Sequence, residues 1–304
     1  MQLELVKRFL AGDQEGSASP VVKVPISKGE FSKVFYAETP ACPYPLAVKQ
    51  CISRGTGLPD ANDASEQFQA LQAIEPLMAG GEYAVPRPYK LDADNGLVAI
   101  EWFNGQTVTD YLKDLRYPII QMEAMLARTG TWLQHFHTSR HVRPGTFDAE
   151  KRFSSFTANM STSLLGADHT FMRACQLLEE KKAGLENQSF PRALLHGDFK
   201  SDNLLVADDR LIGIDIQSRD QNLVLWDIVA FLNRLGLLIY SPSGWHLKRN
   251  RAGLEHHFLS GYFGRELTPN EAAAIAWLRL LILLQQWDQR HLAMENNPLK
   301  RIAN

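Results

Sequence analysis

The hydrophobic pattern of the chain changes near residue 101, and this change constrains the fold more than any other feature. Between Val21 and Glu101 the apolar residues fall in short β-branched runs separated by Gly, Pro and Asp-Asn-Gly turns, as in antiparallel strands. Beyond Gly105 they recur every three or four residues, as on one face of a helix. The sequence therefore predicts an α+β, bilobal fold with a small β-rich N-lobe and a large helical C-lobe. We place the N-lobe at residues 1–100, a hinge at 101–105 and the C-lobe at 106–304.

The same patterns predict the individual elements. The predicted strands are 21–24, 32–38, 46–52 and 97–102. A helix at 63–78 lies between them, with its apolar face formed by Phe68, Leu71, Ile74 and Leu77. The predicted helices of the C-lobe are 118–138, 150–160, 168–186, 222–240, 250–262 and 268–294.

Composition excludes several classes of protein. With 45% hydrophobic and 22% charged residues among 304, the chain is neither disordered nor a coiled-coil rod. The formal net charge of −2 argues against a nucleic-acid-binding protein. Apolar runs are interrupted by charges before they reach the 18 residues of a membrane span. None of the three cysteines forms a C-x-x-C pair, so we expect a protein of the reducing cytoplasm.

The strongest chemical signal is the run His196-Gly197-Asp198 followed by Asn203. It fits the H-x-D-L-x-x-x-N pattern of a kinase catalytic loop, with Phe199 in the place of leucine. In that pattern Asp198 accepts the proton of an attacking hydroxyl group. The alternative is a polar loop in which Asp198 is a solvated turn residue.

The residues after this loop predict a hairpin. Leu204–Val206 and Leu211–Ile214 are apolar runs around a polar turn, and pairing centred near residue 209 puts Asn203 opposite Asp215. An amide oxygen and a carboxylate at the open end of one hairpin suit Mg²⁺, which prefers oxygen ligands.

Lys49 lies in the apolar run Leu46-Ala47-Val48-Lys49, where an inward-facing charge is costly without a partner. It fits the strand lysine that contacts the α- and β-phosphates of a nucleotide. A strand-end lysine that reaches solvent is the alternative. The following helix offers Glu66 as the carboxylate that orients Lys49, with Glu75 as the competitor.

Residues 25–34 form a degenerate version of a phosphate-covering loop. Gly29 and Val34 match the pattern G-x-G-x-x-G-x-V, and Ser27 and Ser32 replace glycines. Small residues still let backbone N–H groups approach phosphate. Further along, Asp227 opens an apolar helix, where it either caps the helix or also ties down the backbone of the catalytic loop.

On these motifs the chain resembles the aminoglycoside phosphotransferase and choline kinase group, small-molecule relatives of the eukaryotic protein kinases, over nearly its whole length. The resemblance implies a bilobal protein-kinase-like fold and an ATP- or GTP-dependent phosphotransferase. It implies that Asp198 is the base, that Asn203 and Asp215 hold Mg²⁺ and that Lys49 grips the phosphates. The backbone of Glu101–Phe103 is then the hinge that meets the purine.

Two details refine this interpretation. Asp215 is followed by Ile216-Gln217 rather than Phe-Gly, and no A-P-E end of an activation segment follows, which argues against a regulated protein kinase. Lys200, two residues after the base, either neutralises the transferring γ-phosphate or is a solvated loop lysine.

The acceptor is expected to be a neutral or anionic sugar or metabolite. Between Leu237 and Asn304 the chain has five acidic residues (Glu255, Glu266, Glu271, Asp288 and Glu295) and eight basic ones (Lys248, Arg249, Arg251, Arg265, Arg279, Arg290, Lys300 and Arg301), a poor match to a polycation. Trp245, Trp277 and Trp287 either stack on such an acceptor or belong to the core. The alternatives are a kinase of a protein or a lipid-linked saccharide, and a catalytically silent nucleotide-binding module that regulates a partner.

Overall fold

The computed structural model describes residues 2–11, 20–23, 27–28, 32–53, 55–160, 168–217 and 221–295. Its strands are β1 (Val21–Val22), β2 (Ser27–Lys28), β3 (Ser32–Glu38), β4 (Leu46–Cys51), β5 (Tyr83–Ala84), β6 (Pro88–Asp92), β7 (Leu97–Glu101), β8 (Gln106–Thr107), β9 (Arg143–Thr146), β10 (Ser189–Leu194), β11 (Leu204–Ala207), β12 (Arg210–Gly213) and β13 (Gln221–Leu223). Its α-helices are α1 (Gln2–Ala11), α2 (Ala61–Met78), α3 (Val108–Lys113), α4 (Ile119–Thr138), α5 (Ala149–Ala158), α6 (His169–Lys182), α7 (Leu225–Ile239), α8 (Arg251–Phe263) and α9 (Pro269–Glu295). Short 3₁₀ segments lie at Ser201–Asn203 and Pro242–Asn250.

The N-terminal part is an antiparallel sheet with a helix on each face. Its strand order is β1-β3-β4-β7-β6, with β2 paired to β3. Along β7, Leu97 and Ala99 pack with α1 on one face, whereas Val98 and Ile100 pack with α2 on the other, as the two-residue period of a strand requires. The predicted strands 32–38, 46–52 and 97–102 are confirmed to within one residue.

The buried face of helix α2 shares Leu71 and Ile74 with the predicted one, but it includes Gln67 and excludes Leu77. Its buried residues are Ala64, Gln67, Leu71, Ile74 and Met78, a 3-4-3-4 spacing, whereas Leu77 is 48% exposed. The predicted face advanced by three residues at each step and so drifted around the helix, because an α-helix has 3.6 residues per turn. Gln67 is thus the polar side chain of α2 that lines the cavity described below.

The C-terminal part is mainly helical, as predicted. Helices α4 to α9 lie within four residues of the predicted bounds at each end. Their apolar faces form one core that also takes in Leu71, Ile74 and Met78 of α2. Strand β5, which precedes the predicted hinge at 101–105, pairs with β12, which follows it. The two parts of the chain are therefore joined by backbone pairing as well as by side-chain packing, and the domain boundary stays a prediction. Among the described residues, no helix has the length and apolarity that a membrane span needs.

Two small sheets hold the loop between His196 and Asn203. Strand β10, which leads into the loop, lies between β13 and β9, and the hairpin β11–β12 follows the loop. Trp132 of α4 packs beneath, with its ring stacked on Phe199 at 5.7 Å between centroids. A Cβ atom on Gly213 would lie 2.0 Å from the same indole, so only glycine allows this approach of the hairpin to the core.

Asp227, in the first turn of α7, anchors the loop. Asp227 is only 2% exposed, and its carboxylate accepts hydrogen bonds from the backbone N–H groups of His196 (2.6 Å) and Gly197 (3.2 Å). It also contacts His137 Nε2 at 3.0 Å, and His137 Nδ1 lies 2.8 Å from the Tyr262 hydroxyl. Burial works to raise the pKa of Asp227, but the hydrogen bonds from His137 and the His196 backbone outweigh it and hold that pKa below its ordinary value. Asp227 therefore does hold the backbone of the catalytic loop, which is the second of the two roles predicted for it.

We expect Asp227→Asn to destabilise the protein by about 3–5 kcal/mol, because it leaves buried donors without a charged acceptor. Asp202→Asn, at a half-exposed carboxylate 3.9 Å from Arg234, is the control and should cost less than about 1 kcal/mol. Denaturant unfolding measures both. The folded-state pKa of Asp227 is lowered, so its stabilisation is complete above the unfolded value of about 3.9 and is lost as the pH falls through the folded value. The gap between wild type and Asp227→Asn should therefore narrow in acid, and equal stabilities at pH 7 would contradict this role.

Candidate active site

A cavity of about 200 Å³ lies between the sheet and the β11–β12 hairpin. Its walls are mostly apolar, and they include Val34, Ala47, Leu71, Val98, Leu205 and Ile214. Lys49, Gln67, Asn203 and Asp215 are among the polar residues of the lining. Glu101, Trp102 and Phe103 also belong to it. The cavity can thus hold a flat, largely apolar group next to one cation and several oxygen atoms.

Lys49 is turned inward from β4 and is not a strand-end lysine that reaches solvent. Its side chain is 18% exposed, and its ammonium donates to Asp215 Oδ1 at 2.5 Å and to Gln67 Oε1 at 2.9 Å. Burial disfavours the charged ammonium, but the facing carboxylate of Asp215 outweighs burial and raises the pKa of Lys49. By the same contact the pKa of Asp215, which burial alone would raise, is lowered.

The helix partner of Lys49 is Gln67, so the prediction of Glu66, with Glu75 as competitor, was wrong. Glu66 is exposed on α2, and Glu75 lies 3.5 Å from Arg87. The prediction rests on the charge of a carboxylate and so passes over the amide of Gln67, the residue next to Glu66. A strict 3.6-residue period would have placed Gln67 on the buried stripe.

Asn203 and Asp215 line the same cavity, but they are not directly opposite each other. The β11–β12 register pairs Leu204 with Gly213, and Ile214 N donates to Asn203 O at 2.9 Å, one residue away from the predicted pairing. The hairpin turns on two residues with positive φ, Asp208 (45°) and Asp209 (62°), which is the geometry of a two-residue turn. Asp215 follows the end of β12 with φ 59°, and this left-handed backbone turns its side chain away from the alternation of the strand.

Asp198, Lys200 and Asn203 form a second polar group beside the cavity. The Lys200 ammonium contacts the Asp198 carboxylate, and Asn203 Nδ2 donates to Asp198 Oδ2 at 3.1 Å and to its backbone oxygen at 2.9 Å. The Asp198 side chain is 33% exposed, whereas Asn203 is buried. Asp198 is thus oriented by two donors and still open to solvent, as a group that meets an incoming substrate must be.

Of the remaining site residues predicted from the sequence, Glu101, Phe103 and Ser32 line the cavity, and one lies outside the described residues. Glu101 Oε2 lies 3.7 Å from Arg87 Nε, and Phe103 packs under the Arg210 guanidinium. Ser32, on β3, lines the cavity, and β2 pairs with β3. Gly29 lies outside the described residues.

Sequence reasoning missed Gln67 and Gln217. Gln217 Nε2 donates to Asp215 Oδ2 at 3.3 Å and so supports the second carboxylate oxygen. Of the three tryptophans, Trp277 belongs to the core and donates to Leu178 O at 2.9 Å, whereas Trp245 is 69% exposed and Trp287 is partly exposed.

Comparisons with solved structures agree with this fold. The chain is similar to a choline/ethanolamine kinase family protein from Mesorhizobium loti, with 20% identity and a TM-score of 0.60 over 98% of this chain and 88% of that one. It is similar to the amicoumacin kinase hAmiN in complex with AMP-PNP, Ca²⁺ and Ami, with 15% identity and a TM-score of 0.61 over 96% and 86%. It is also similar to a glucosamine kinase in complex with glucosamine, ADP and inorganic phosphate, with 16% identity and a TM-score of 0.52 over 93% and 83%.

At these identities the likeness shows the fold alone, and the predicted α+β protein-kinase-like fold is confirmed by it. No curated protein sequence matches the chain. The model of the phosphotransferase enzyme family, abbreviated APH, matches residues 24–239, which is more than half of the chain and includes Lys49, Asp198, Asn203 and Asp215. The resemblance seen in the motifs is therefore confirmed: the chain belongs to the phosphotransferase enzyme family.

Proposed function

We propose that this protein transfers the γ-phosphate of ATP or GTP, bound with Mg²⁺, to a hydroxyl group of a small molecule. The convergence of Lys49, Asn203 and Asp215 on one cavity, with Asp198 beside it, is the observation that carries the proposal. Family membership supports phosphotransfer as the class of reaction. The amicoumacin kinase complex holds AMP-PNP with Ca²⁺ and the glucosamine kinase complex holds ADP, which supports a nucleotide and a divalent cation as partners here.

The donor set fits a magnesium ion that is shared with phosphate. Both hydrogen bonds of the Asn203 amide to Asp198 use Nδ2, so its oxygen is left to act as a ligand. Asp215 adds a carboxylate, and Mg²⁺ is usually held by one or two such protein ligands together with substrate phosphates and water. When bound, the ion neutralises charge on the β- and γ-phosphates.

In this proposal each side chain has a separate task. Lys49 binds phosphate oxygens from β4, and the backbone of Glu101–Phe103 meets the purine at the apolar end of the cavity. Asp198 accepts the proton of the acceptor hydroxyl, while Lys200 offsets charge on the phosphoryl group in transit. Ser32 and Gly29 belong to the loop that covers the phosphates.

A neutral or anionic acceptor fits the charges of the helical part. Of the five acidic residues counted after Leu237, Glu255 is bound by Arg251 and Arg279, and Glu271 is bound by Arg265. These carboxylates are already compensated and offer little to a polycation. Two cations lie near the catalytic loop: the half-exposed Arg234 side chain is 3.9 Å from Asp202, and the Lys200 ammonium contacts the Asp198 carboxylate. These positive charges favour a neutral or anionic acceptor over a polycation.

Asp198→Asn should lower kcat by about 10²–10⁴-fold, the usual contribution of a general base. Binding of Mg-ATP should be retained, because Asp198 lies beside the nucleotide cavity and not in its lining. Steady-state assays of nucleotide consumption with an acceptor, together with calorimetric titration of Mg-ATP, separate the two effects. Asp202→Asn in the same loop is the control and should keep kcat. Equal turnover by Asp198→Asn and wild type would remove Asp198 as the base.

Asp215→Asn should abolish the gain in ATP affinity that Mg²⁺ gives, because the charged ligand is lost. Asparagine is chosen because it tolerates the left-handed backbone at this position. Calorimetric titrations of ATP with and without Mg²⁺ measure the gain, with Asp94→Asn on an exposed turn as the control. An unchanged gain in Asp215→Asn would contradict the proposed metal site.

A panel of acceptors should separate the substrate classes. We expect nucleotide consumption with neutral sugars or sugar phosphates and little with aminoglycoside polycations, for the charge reasons given above. Turnover confined to polycations would contradict the proposed acceptor class. Stabilisation of the protein by Mg-ATP without turnover of any acceptor, peptide substrates included, would favour a regulatory nucleotide-binding module.

A further inference from the structure

A chain of hydrogen bonds links Lys49 through Gln67 to Asp63 in the first turn of α2. Gln67 receives the Lys49 ammonium on Oε1 at 2.9 Å and donates from Nε2 to Asp63 Oδ2, one turn earlier, also at 2.9 Å. Gln67 is 7% exposed, so this amide is held inside the protein with both of its ends bonded. The negative charge of Asp63 therefore stands one side chain farther from Lys49 than a carboxylate at position 67 would.

The two acceptors of the Lys49 ammonium attract it unequally. On one side is a neutral amide oxygen, and on the other is the Asp215 carboxylate at 2.5 Å. The carboxylate carries a full negative charge and the amide oxygen does not, so the Coulomb attraction of the ammonium to Asp215 is the stronger of the two. Within the described ranges, Asp215 is the only carboxylate that forms an ion pair with Lys49.

We propose that Gln67 is a positioning residue that leaves Lys49 resting on Asp215, and that it thereby makes binding of the divalent cation depend on the nucleotide. This inference rests on the proposed function. A cation that approaches Asp215 alone meets the ammonium of Lys49. A nucleotide supplies phosphate oxygens that draw Lys49 away, and the carboxylate is then open to the cation. Affinity for the cation alone is low, and affinity for the two together is high.

Moving the charge along the hydrogen-bonded chain tests this coupling. The double exchange Asp63→Asn/Gln67→Glu keeps the net charge and places the carboxylate next to Lys49, while the amide introduced on the preceding turn can donate to that carboxylate. Mn²⁺ alone, titrated by electron paramagnetic resonance, should bind at least about fivefold tighter than to wild type, the low end of ordinary coupling between sites. Mn²⁺ affinity in the presence of ATP should stay the same, so the gain in Mn²⁺ affinity on adding ATP should shrink by that factor. Because coupling is reciprocal, the gain in ATP affinity on adding Mn²⁺ should shrink equally.

Two further variants guard against trivial outcomes. Gln69→Glu adds a carboxylate on the exposed face of the same helix and should leave Mn²⁺ affinity unchanged. Lys49→Met removes the ammonium without touching α2 and should also tighten binding of Mn²⁺ alone. It therefore tests the same coupling if the exchange does not fold, which thermal unfolding reveals.

The outcomes distinguish this inference from the function on which it rests. If wild type binds Mn²⁺ with ATP through Asp215, but either the folded exchange or Lys49→Met leaves the affinity for Mn²⁺ alone unchanged, the coupling by Gln67 is overturned and the proposed function stands. If wild type binds neither Mn²⁺ nor ATP, both are overturned.

Discussion

The contact between Lys49 and Asp215 is the interaction on which the candidate site depends. It joins a strand of the N-terminal sheet to the residue that follows β12, across 166 positions of sequence. Neither group would be stable alone at this depth, because a buried charge needs a partner. Pairing compensates both, and it places the cation that we propose to bind phosphate next to the carboxylate that we propose to hold a metal ion. The geometry of the cavity follows from this one pair.

The loop that carries Asp198 is held by a different device. Asp227 binds the backbone of His196 and Gly197, and His137 and Tyr262 extend that contact into α4 and α8. From below, the stacked rings of Trp132 and Phe199 give the loop an apolar floor. The hydrogen bonds of Asp227 fix the backbone position of the loop, and the stacking of Trp132 on Phe199 fixes its distance from the helical core. Asp198 itself is then free to point outward between Lys200 and Asn203.

The sequence predicted the parts of this protein that depend on local pattern. Strand β3 and the helical run of the C-terminal part follow from the periods of their apolar residues, and the catalytic-loop motif from its spacing. The two errors at the site are errors of one residue. The predicted hairpin register is off by one residue because the conformation of Asp208 and Asp209 decides it. Glu66 is predicted, with Glu75 as competitor, because a carboxylate is expected where the structure has the amide of Gln67. Asp215 still reaches the cavity, through a left-handed backbone that no apolar pattern reveals. A glutamine as the partner of a buried lysine is also hard to foresee, because a carboxylate is the better electrostatic match.

The most direct measurement is a crystal structure of the protein with Mn²⁺ and a non-hydrolysable ATP analogue, with the metal located by its anomalous scattering. We predict a peak bonded to the Asn203 amide oxygen and the Asp215 carboxylate, with the Lys49 ammonium moved onto phosphate oxygens and Asp198 facing the γ-phosphate. A peak away from these side chains, or a nucleotide outside the cavity between the sheet and the hairpin, would contradict the proposed site.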